Sequence, residues 1–319
     1  MGTTPSFYRR VRPAFFLLLL ALVFFWTLRR QNISIGILKQ LSWPYLIGWG
    51  CLMGLTWLIN SEKLRILLRT ENIPLGGVES FKISAASSVL NYLPLQGGTI
   101  VRAVYLQKVY GLSYFKFITL LGTTYYIMLL CDSFIASSLC FFYVNPPYGP
   151  LVGSLLGLGC VVGIFFIFVP LPKFFPEILQ RCRAGFLKAI ACKNTAASLF
   201  ALEVFSVLTE SLKFWLLIRA FHFESIPPWP VLWLISAFVF PSVVLNLTPA
   251  GIGVREGALA FIAWVSGIEV AHSIIYGGVD RLLTIAWVFA IGTPLAYRLF
   301  FSGLRPMQQQ MIDQNQSNH

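Results

Sequence analysis

Long apolar stretches recur along the chain and are separated by short polar segments. Each of the longest approaches or exceeds the ~20 residues that an α-helix needs to cross ~30 Å of hydrocarbon. Two shorter, interrupted stretches, about 80–95 and 252–267, could be re-entrant or spanning. The pattern predicts an all-α, polytopic membrane bundle of about 7–8 spanning helices. The long stretches occupy roughly residues 13–28, 44–60, 117–143, 150–170, 196–218, 231–247 and 272–300.

The polar segments between these stretches are too short to bury a core of their own. We therefore expect a single integral-membrane domain over residues 1–305, in two halves of about 1–145 and 146–305. The polar tail, residues 306–319, is expected to be disordered.

Composition and charge support lipid as the solvent. Of 319 residues, 57% are hydrophobic and 11% are charged, whereas about a quarter are charged in soluble domains. The net charge of +12 comes from basic residues concentrated in the segments between apolar stretches. By the positive-inside rule, this distribution predicts a cytoplasmic N-terminus. We expect the protein to be integral to the cell (inner or cytoplasmic) membrane. No nucleic acid partner is expected, because no basic helix or reader motif accompanies the charge.

Two of the segments predicted to lie inside, 62–73 and 173–193, are amphipathic as well as basic. Each could form a helix in the headgroup layer of anionic lipid, or could be an ordinary cytoplasmic loop. The six cysteines and three histidines show no ligand spacing, so we expect neither a metal nor a cofactor.

One motif of asparagine, proline, two glycines and arginine occurs twice, about half a chain apart. Its residues are Asn91, Pro94, Gly97, Gly98 and Arg102 in the first copy, and Asn246, Pro249, Gly251, Gly253 and Arg255 in the second. Downstream, each copy meets another glycine (Gly111, Gly267) and then an aspartate within an apolar helix (Asp132, Asp280). Internal repeats of this kind are typical of transporters.

The motif predicts a helix break that receives an anion. Proline lacks a backbone donor and glycine tolerates positive φ, so together they interrupt a helix. A break at membrane depth is tolerated where it is buried in protein or faces a wet cavity, and the following half-helix points its positive end at that cavity. An arginine nearby offers a fork suited to phosphate. In the alternative, the arginines snorkel to the headgroups and the breaks are simple turns.

Other charges inside apolar stretches are candidate site residues. Glu203, Glu210 and Lys213 lie on one helical face, where Glu210 and Lys213 could pair. These three and Asp132 are candidates for coupling charge movement to transport; Asp132 is also a candidate partner of Arg102. The charges of Asp280 and Arg281 could pair with those of Arg255 and Glu256, or line the same cavity. The expected headgroup-binding residues are Arg102, Arg255, Glu256, Asn91, Asn246, Asp280 and Arg281.

These residues resemble the lysylphosphatidylglycerol synthase transmembrane-region family of flippase-like integral membrane proteins. The early element of that family is similar to residues 94–103, and its more specific late element, Pro-x-Gly-x-Gly-x-Arg-Glu-Gly, is similar to 249–257. An Arg-Leu-Leu-Thr element is similar to 281–284. The resemblance covers nearly the whole chain and implies a bundle that moves, or helps to move, an amphiphile between leaflets. We expect a stand-alone member that lacks the synthase domain of the aminoacyl-lipid members.

The leading functional hypothesis is a lipid flippase or scramblase for an anionic amphiphile, such as a phospholipid or a polyprenyl-phosphate sugar. Membrane lipids are then the expected partners, with a lipid-modifying enzyme as a further candidate. One alternative is an integral-membrane transferase acting on a lipid-linked substrate. Another is a non-transporting accessory subunit of a glycosyltransferase or lipid synthase. The chain shows no metal-binding DxD, phosphate loop or nucleophile pair, so we do not expect an enzyme.

Overall fold

Helices make up the regular structure in the described part of the chain, and the predicted all-α class is confirmed. The computed structural model describes residues 42–91, 97–144, 148–168, 177–220, 227–244, 254–297 and 299. The predicted first stretch and the predicted disordered tail lie outside these residues. The helices are α1 (Trp43–Arg69), α2 (Gly77–Leu90), α3 (Gly97–Tyr110), α4 (Tyr114–Tyr143), α5 (Tyr148–Phe168), α6 (Glu177–Ala191), α7 (Lys193–Ala220), α8 (Trp229–Val244), α9 (Val254–Val265), α10 (Val270–Trp287) and α11 (Thr293–Tyr297), with a π-helical segment, Val288–Gly292, between α10 and α11.

An antiparallel pair, α1 and α7, runs through the bundle. At one end the Ser42 amide donates to the Ala220 carbonyl over 3.4 Å, and further along Lys63 contacts Glu203. Residue numbers therefore rise along α1 as they fall along α7. With 27 and 28 residues, each helix is about 40 Å long, which exceeds the thickness of the hydrocarbon layer.

Within the described ranges, three helical segments are long and apolar enough to cross a membrane by length and composition: Tyr114–Tyr143, Tyr148–Phe165 and Tyr276–Tyr297. A shorter apolar helix covers Trp229–Val239. Helices α1 and α7 have the length, but their ionisable residues make them less apolar. The expected number of about 7–8 spanning helices stays a prediction.

The surface of α5 is suited to lipid. Leu151, Leu155, Leu158 and Phe165 are each exposed by 60% or more, and α5 carries no charged residue. A soluble monomer rarely exposes an apolar face of this extent. In a bilayer the same face needs no cover.

The two interrupted stretches form short helices. Helix α2 covers the stretch near 80–95 as far as Leu90, and α9 covers most of 252–267. With 14 and 12 residues, they are about 21 Å and 18 Å long, too short to cross ~30 Å of hydrocarbon on their own.

The segment 62–73 is neither a separate headgroup helix nor a loop, so both interpretations of it were wrong. Its first eight residues continue α1, which ends at Arg69. Leu67 and Leu68 are buried there, because α2 packs against this end of α1. The second amphipathic segment is helical over α6, which buries Phe186 against Tyr126 of α4 with ring centroids 4.8 Å apart.

Glu71, in the turn after α1, ties α6 to α4. Its carboxylate accepts from Lys188 of α6 at 2.5 Å and from Lys116 of α4 at 2.9 Å. The hydrogen bond from Lys188, aided by Lys116, holds the pKa of Glu71 below its ordinary value and outweighs partial burial.

We expect Glu71→Gln to loosen α6 and to speed amide exchange over residues 177–191. A depressed carboxyl pKa contributes stability that is present above the unfolded value of about 4.3 and is lost as pH falls through the folded value. Acidified wild type should therefore approach the variant. Hydrogen exchange by mass spectrometry, corrected for intrinsic rates, measures both effects. Glu62→Gln, which breaks the pair with Arg65, is the control; equal exchange in both variants would contradict the role of Glu71.

Candidate functional site: buried charges at the helix breaks

The first helix break brings the start of α3 against the end of α2. Helix α2 ends at Leu90, and the Asn91 amide still donates to the Ser87 carbonyl at 2.9 Å. A Cβ atom on Gly98 would overlap that same carbonyl oxygen and the Asn91 side chain. Glycine is therefore required here by close approach of backbone to backbone. Pro94 lies outside the described residues.

Arg102 lies just over one turn into α3 and reaches back to α2. Its Nε donates to Ser87 Oγ over 3.1 Å, and Tyr125 of α4 is close enough to interact electrostatically. The side chain is half-buried. Among the described residues, no carboxylate lies within ion-pair distance of it.

The predicted pairing of Arg102 with Asp132 is wrong. Asp132 lies two turns beyond Tyr125 on α4 and is completely buried. The charged groups that act on it are Glu203 and Lys63, because α7 and α1 pack against that part of α4.

Helix α9, which begins within the second motif copy, is joined to α10 by a reciprocal pair of ion pairs. Arg255 of α9 binds Asp280 of α10, and Arg281 of α10 binds Glu256 of α9. The two helices approach closely, since a Cβ on Gly277 would overlap the Leu259 side chain. Of the two arrangements predicted for these charges, pairing is the one observed. Asn246, Pro249, Gly251 and Gly253 lie outside the described residues.

Side chains from α1 and α7 extend the two ion pairs of α9 and α10 into a larger charged cluster. The Trp49 indole donates to Asp280 at 3.0 Å, and the predicted pair of Glu210 and Lys213 forms at 2.9 Å. The Lys213 ammonium lies 5.8 Å from the centre of the Trp49 ring. The described cluster holds three cations and three carboxylates, so its charges balance: Lys213, Arg255 and Arg281 with Glu210, Glu256 and Asp280.

A second buried group of charges lies between α1, α4 and α7. Lys63 Nζ lies 2.6 Å from Glu203 Oε2, and Asp132 is their neighbour. Sequence reasoning missed Lys63 by assigning it to an interfacial segment. Helical spacing could have indicated that Lys63 is buried. It falls four residues after Ile59 and four before Leu67, so the three share one helical face, and both neighbours are buried.

The two motif copies share an order of elements but differ in charge. In both, a helix ends, a short helix follows, and a glycine of positive φ closes it: Gly111 at 68° and Gly267 at 71°. A long helix with a buried aspartate comes next. The arginines differ, because Arg255 has a carboxylate partner and Arg102 has none among the described residues.

An apolar cavity of about 410 Å³ lies on another side of α4. Helices α5, α6 and α7 complete its wall, and its lining includes Phe134, Ile164 and Phe200. These three side chains are also exposed at the surface by 61%, 44% and 50%. The cavity is thus continuous with the lipid-facing surface.

Exposed apolar helices around buried charges define the class: this is an integral, all-α membrane protein with a polar interior. The sequence profile described as "Lysylphosphatidylglycerol synthase TM region" matches residues 14–292, and the chain belongs to this family. No curated protein and no solved structure matches the chain. Family membership confirms the resemblance found in the sequence and associates the protein with membrane lipids.

Proposed function

We propose that the protein moves a lipid with an anionic, phosphate-bearing headgroup between the leaflets of the cell membrane, with its N-terminus in the cytoplasm. The observation that carries the proposal is Arg102: a half-buried guanidinium beside a helix break, without a described carboxylate partner. The family to which the protein belongs associates it with membrane lipids.

The groups around Arg102 are suited to binding the phosphate of a ligand. One donor, Nε, is held by Ser87, which orients the two terminal nitrogens as a fork. Helix α3 begins five residues earlier at Gly97, and the positive end of its dipole favours a nearby anion. Asn91, directly after α2, and Tyr125 of α4 offer further polar groups. A headgroup bound here would compensate a half-buried cation.

Arg255 takes a different part in the proposal. Its partner Asp280 already supplies the negative charge, so we propose that this pair fixes α9 to α10 during transport. Direct contact between Arg255 and a headgroup stays a prediction, and it would require Asp280 to be displaced.

The apolar cavity bordered by α4–α7 supports a lipid as cargo. Its volume of about 410 Å³ lies within the range of ligand pockets, and its opening at the lipid-facing surface admits a hydrocarbon chain without desolvating polar groups. The carboxylates that could serve a transferase, Glu210, Glu256 and Asp280, are each bound to a cation. We therefore propose transport rather than bond-making chemistry.

Arg102→Gln is expected to slow headgroup translocation about 10- to 150-fold, because a charge-assisted hydrogen bond contributes ~1.5–3 kcal/mol. The measurement uses proteoliposomes with a fluorescent-headgroup phosphatidylglycerol and a membrane-impermeant quencher. Arg102→Lys should recover part of the rate, since it keeps the charge without the fork.

Arg219→Gln is the matched control. Arg219 also lies on a helix, but it is exposed and stacks over Trp215 at 5.4 Å, so its removal should leave the rate unchanged. A wild-type rate in Arg102→Gln would remove the proposed headgroup site. No translocation by the wild-type protein above empty liposomes would remove the transport function.

A further inference from the structure

Three ionisable side chains from three helices meet in the interior: Lys63 of α1, Asp132 of α4 and Glu203 of α7. They are exposed by 4%, 0% and 2%. Lys63 is bound to Glu203, and the charge of each acts on Asp132. We refer to these residues as the buried triad.

The triad has more acceptors than donors. Neither carboxyl oxygen of Asp132 has a described hydrogen-bond partner, and Oε1 of Glu203 has none either. Ser206, one turn further along α7, is 1% exposed, and its hydroxyl also has no partner among the described residues. One ammonium neutralises one of two carboxylates, and an ionised carboxylate buried without donors is very costly.

We propose that the buried triad binds one proton, held on Asp132, and that this proton is coupled to the anionic headgroup at Arg102; the coupling rests on the proposed function. With the proton bound, Lys63 is positive, Glu203 is negative and Asp132 is neutral, so the triad has no net charge. Without the proton its charge is −1.

A proton fits this site better than a metal cation. Hard cations such as Ca²⁺ take six to eight oxygen ligands, whereas the described oxygens are those of two carboxyl groups and Ser206. The Lys63 ammonium already occupies one side of Glu203 and would repel a second cation. A proton needs a single carboxyl oxygen.

The surroundings of Asp132 identify what can govern its proton. Among the described residues, Lys63 of α1 and Glu203 of α7 are the charged groups that act on it. The thiols of Cys131 on the same helix and Cys160 of α5 lie close by. Helices α6 and α8, which also pack against α4, contribute no described charge to this effect.

Helix α4 connects the triad to the proposed headgroup site. Tyr125, the neighbour of Arg102, and Asp132 are seven residues apart, so they lie on one face of α4 and are separated by about 10 Å. A negative charge on Asp132 would therefore repel a phosphate at Arg102. A phosphate at Arg102 that lies beside Tyr125 would be about 10 Å from Asp132, and at an effective dielectric constant of about 20 a repulsion over that distance changes the affinity on the order of tenfold. By linkage, the headgroup favours the proton equally.

Infrared difference spectroscopy tests the proton itself, without any transport. The spectrum of purified wild type minus Asp132→Asn should show the C=O band of a protonated carboxyl group. Asparagine has the shape of the neutral acid, so this variant should fold. Glu203→Gln should remove the same band, because Asp132 then becomes the counterion of Lys63; Glu62→Gln should retain it. Absence of the band from the first difference spectrum overturns the proton site.

Proteoliposomes test the coupling with fluorescent-headgroup phosphatidylglycerol. In wild type, a pH gradient should change the translocation rate about tenfold, and a sodium gradient of equal size should not. In Asp132→Asn the ratio of rates with and without the pH gradient should fall to about one. An unchanged ratio in this variant, or a response to sodium, overturns the coupling. If wild type translocates no lipid, the proposed function fails and the coupling fails with it, while the infrared band decides the proton site separately.

Discussion

Asp280→Asn is expected to lower the free energy of unfolding by about 3–5 kcal/mol, the cost of stranding one member of a buried ion pair. Asp280 is 1% exposed and carries the negative charge that answers Arg255. Asparagine keeps an oxygen that can accept from the Trp49 indole, so the loss of stability results from removing the charge and not from a change in side-chain shape. Unfolding of the detergent-solubilised protein, followed by heat or denaturant, measures the difference.

A second substitution separates the pair from its neighbours. Adding Arg255→Gln to Asp280→Asn removes the stranded cation and leaves two amides that can hydrogen-bond, so most of the lost stability should return. Glu62→Gln, which removes a partly exposed pair with Arg65, should cost at most about 1 kcal/mol. A double variant no more stable than Asp280→Asn alone would show that the ion pair is not the source of the effect.

The sequence predicts the helices well, because lipid leaves a chain few other options. A backbone in hydrocarbon must satisfy its own hydrogen bonds, so an apolar run of sufficient length becomes a helix. The run predicted at 117–143 is observed as α4, Tyr114–Tyr143. The ion pairs between α9 and α10 could be anticipated as well. The adjacent opposite charges of Arg255 and Glu256 on α9 match those of Asp280 and Arg281 on α10.

The partners of isolated charges could not be predicted in the same way. Lys63 and Glu203 are 140 positions apart, and their contact depends on how α1 packs against α7. The position of α4, which brings Asp132 within reach of those two helices, likewise depends on packing between helices distant in sequence. One sequence contains no direct record of such packing.

The duplicated motif shows how similar residues can acquire different environments. From the sequence, Arg102 and Arg255 are equivalent, and both were expected to bind a headgroup. In the structure, α10 places Asp280 beside Arg255, whereas α4 places Tyr125 beside Arg102. The repeat therefore predicts two helix breaks and two arginines, but the third helix of each unit decides which arginine is left for a ligand.

Gly98→Ala is expected to separate α3 from α2 and to destabilise the protein by about 3 kcal/mol, the upper part of the usual range for overpacking. The added methyl group would overlap the Ser87 carbonyl oxygen, which is backbone and cannot rotate away. Moving α3 also withdraws Arg102 from Ser87 Oγ, so translocation should fall about as far as it does in Arg102→Gln. Thermal unfolding and the proteoliposome assay measure the two losses.

Gly54→Ala gives the matched comparison, because the same methyl group is added where it meets no atom within 4 Å. Gly54 lies inside α1, where alanine is favoured over glycine by up to about 1 kcal/mol. This variant should therefore be as stable as wild type or more stable, with an unchanged rate. If Gly98→Ala behaved like Gly54→Ala, the close approach of α2 and α3 would not hold, and with it the contact that orients Arg102. Opposite effects of the same chemical change would instead locate the headgroup site at the junction of these two helices.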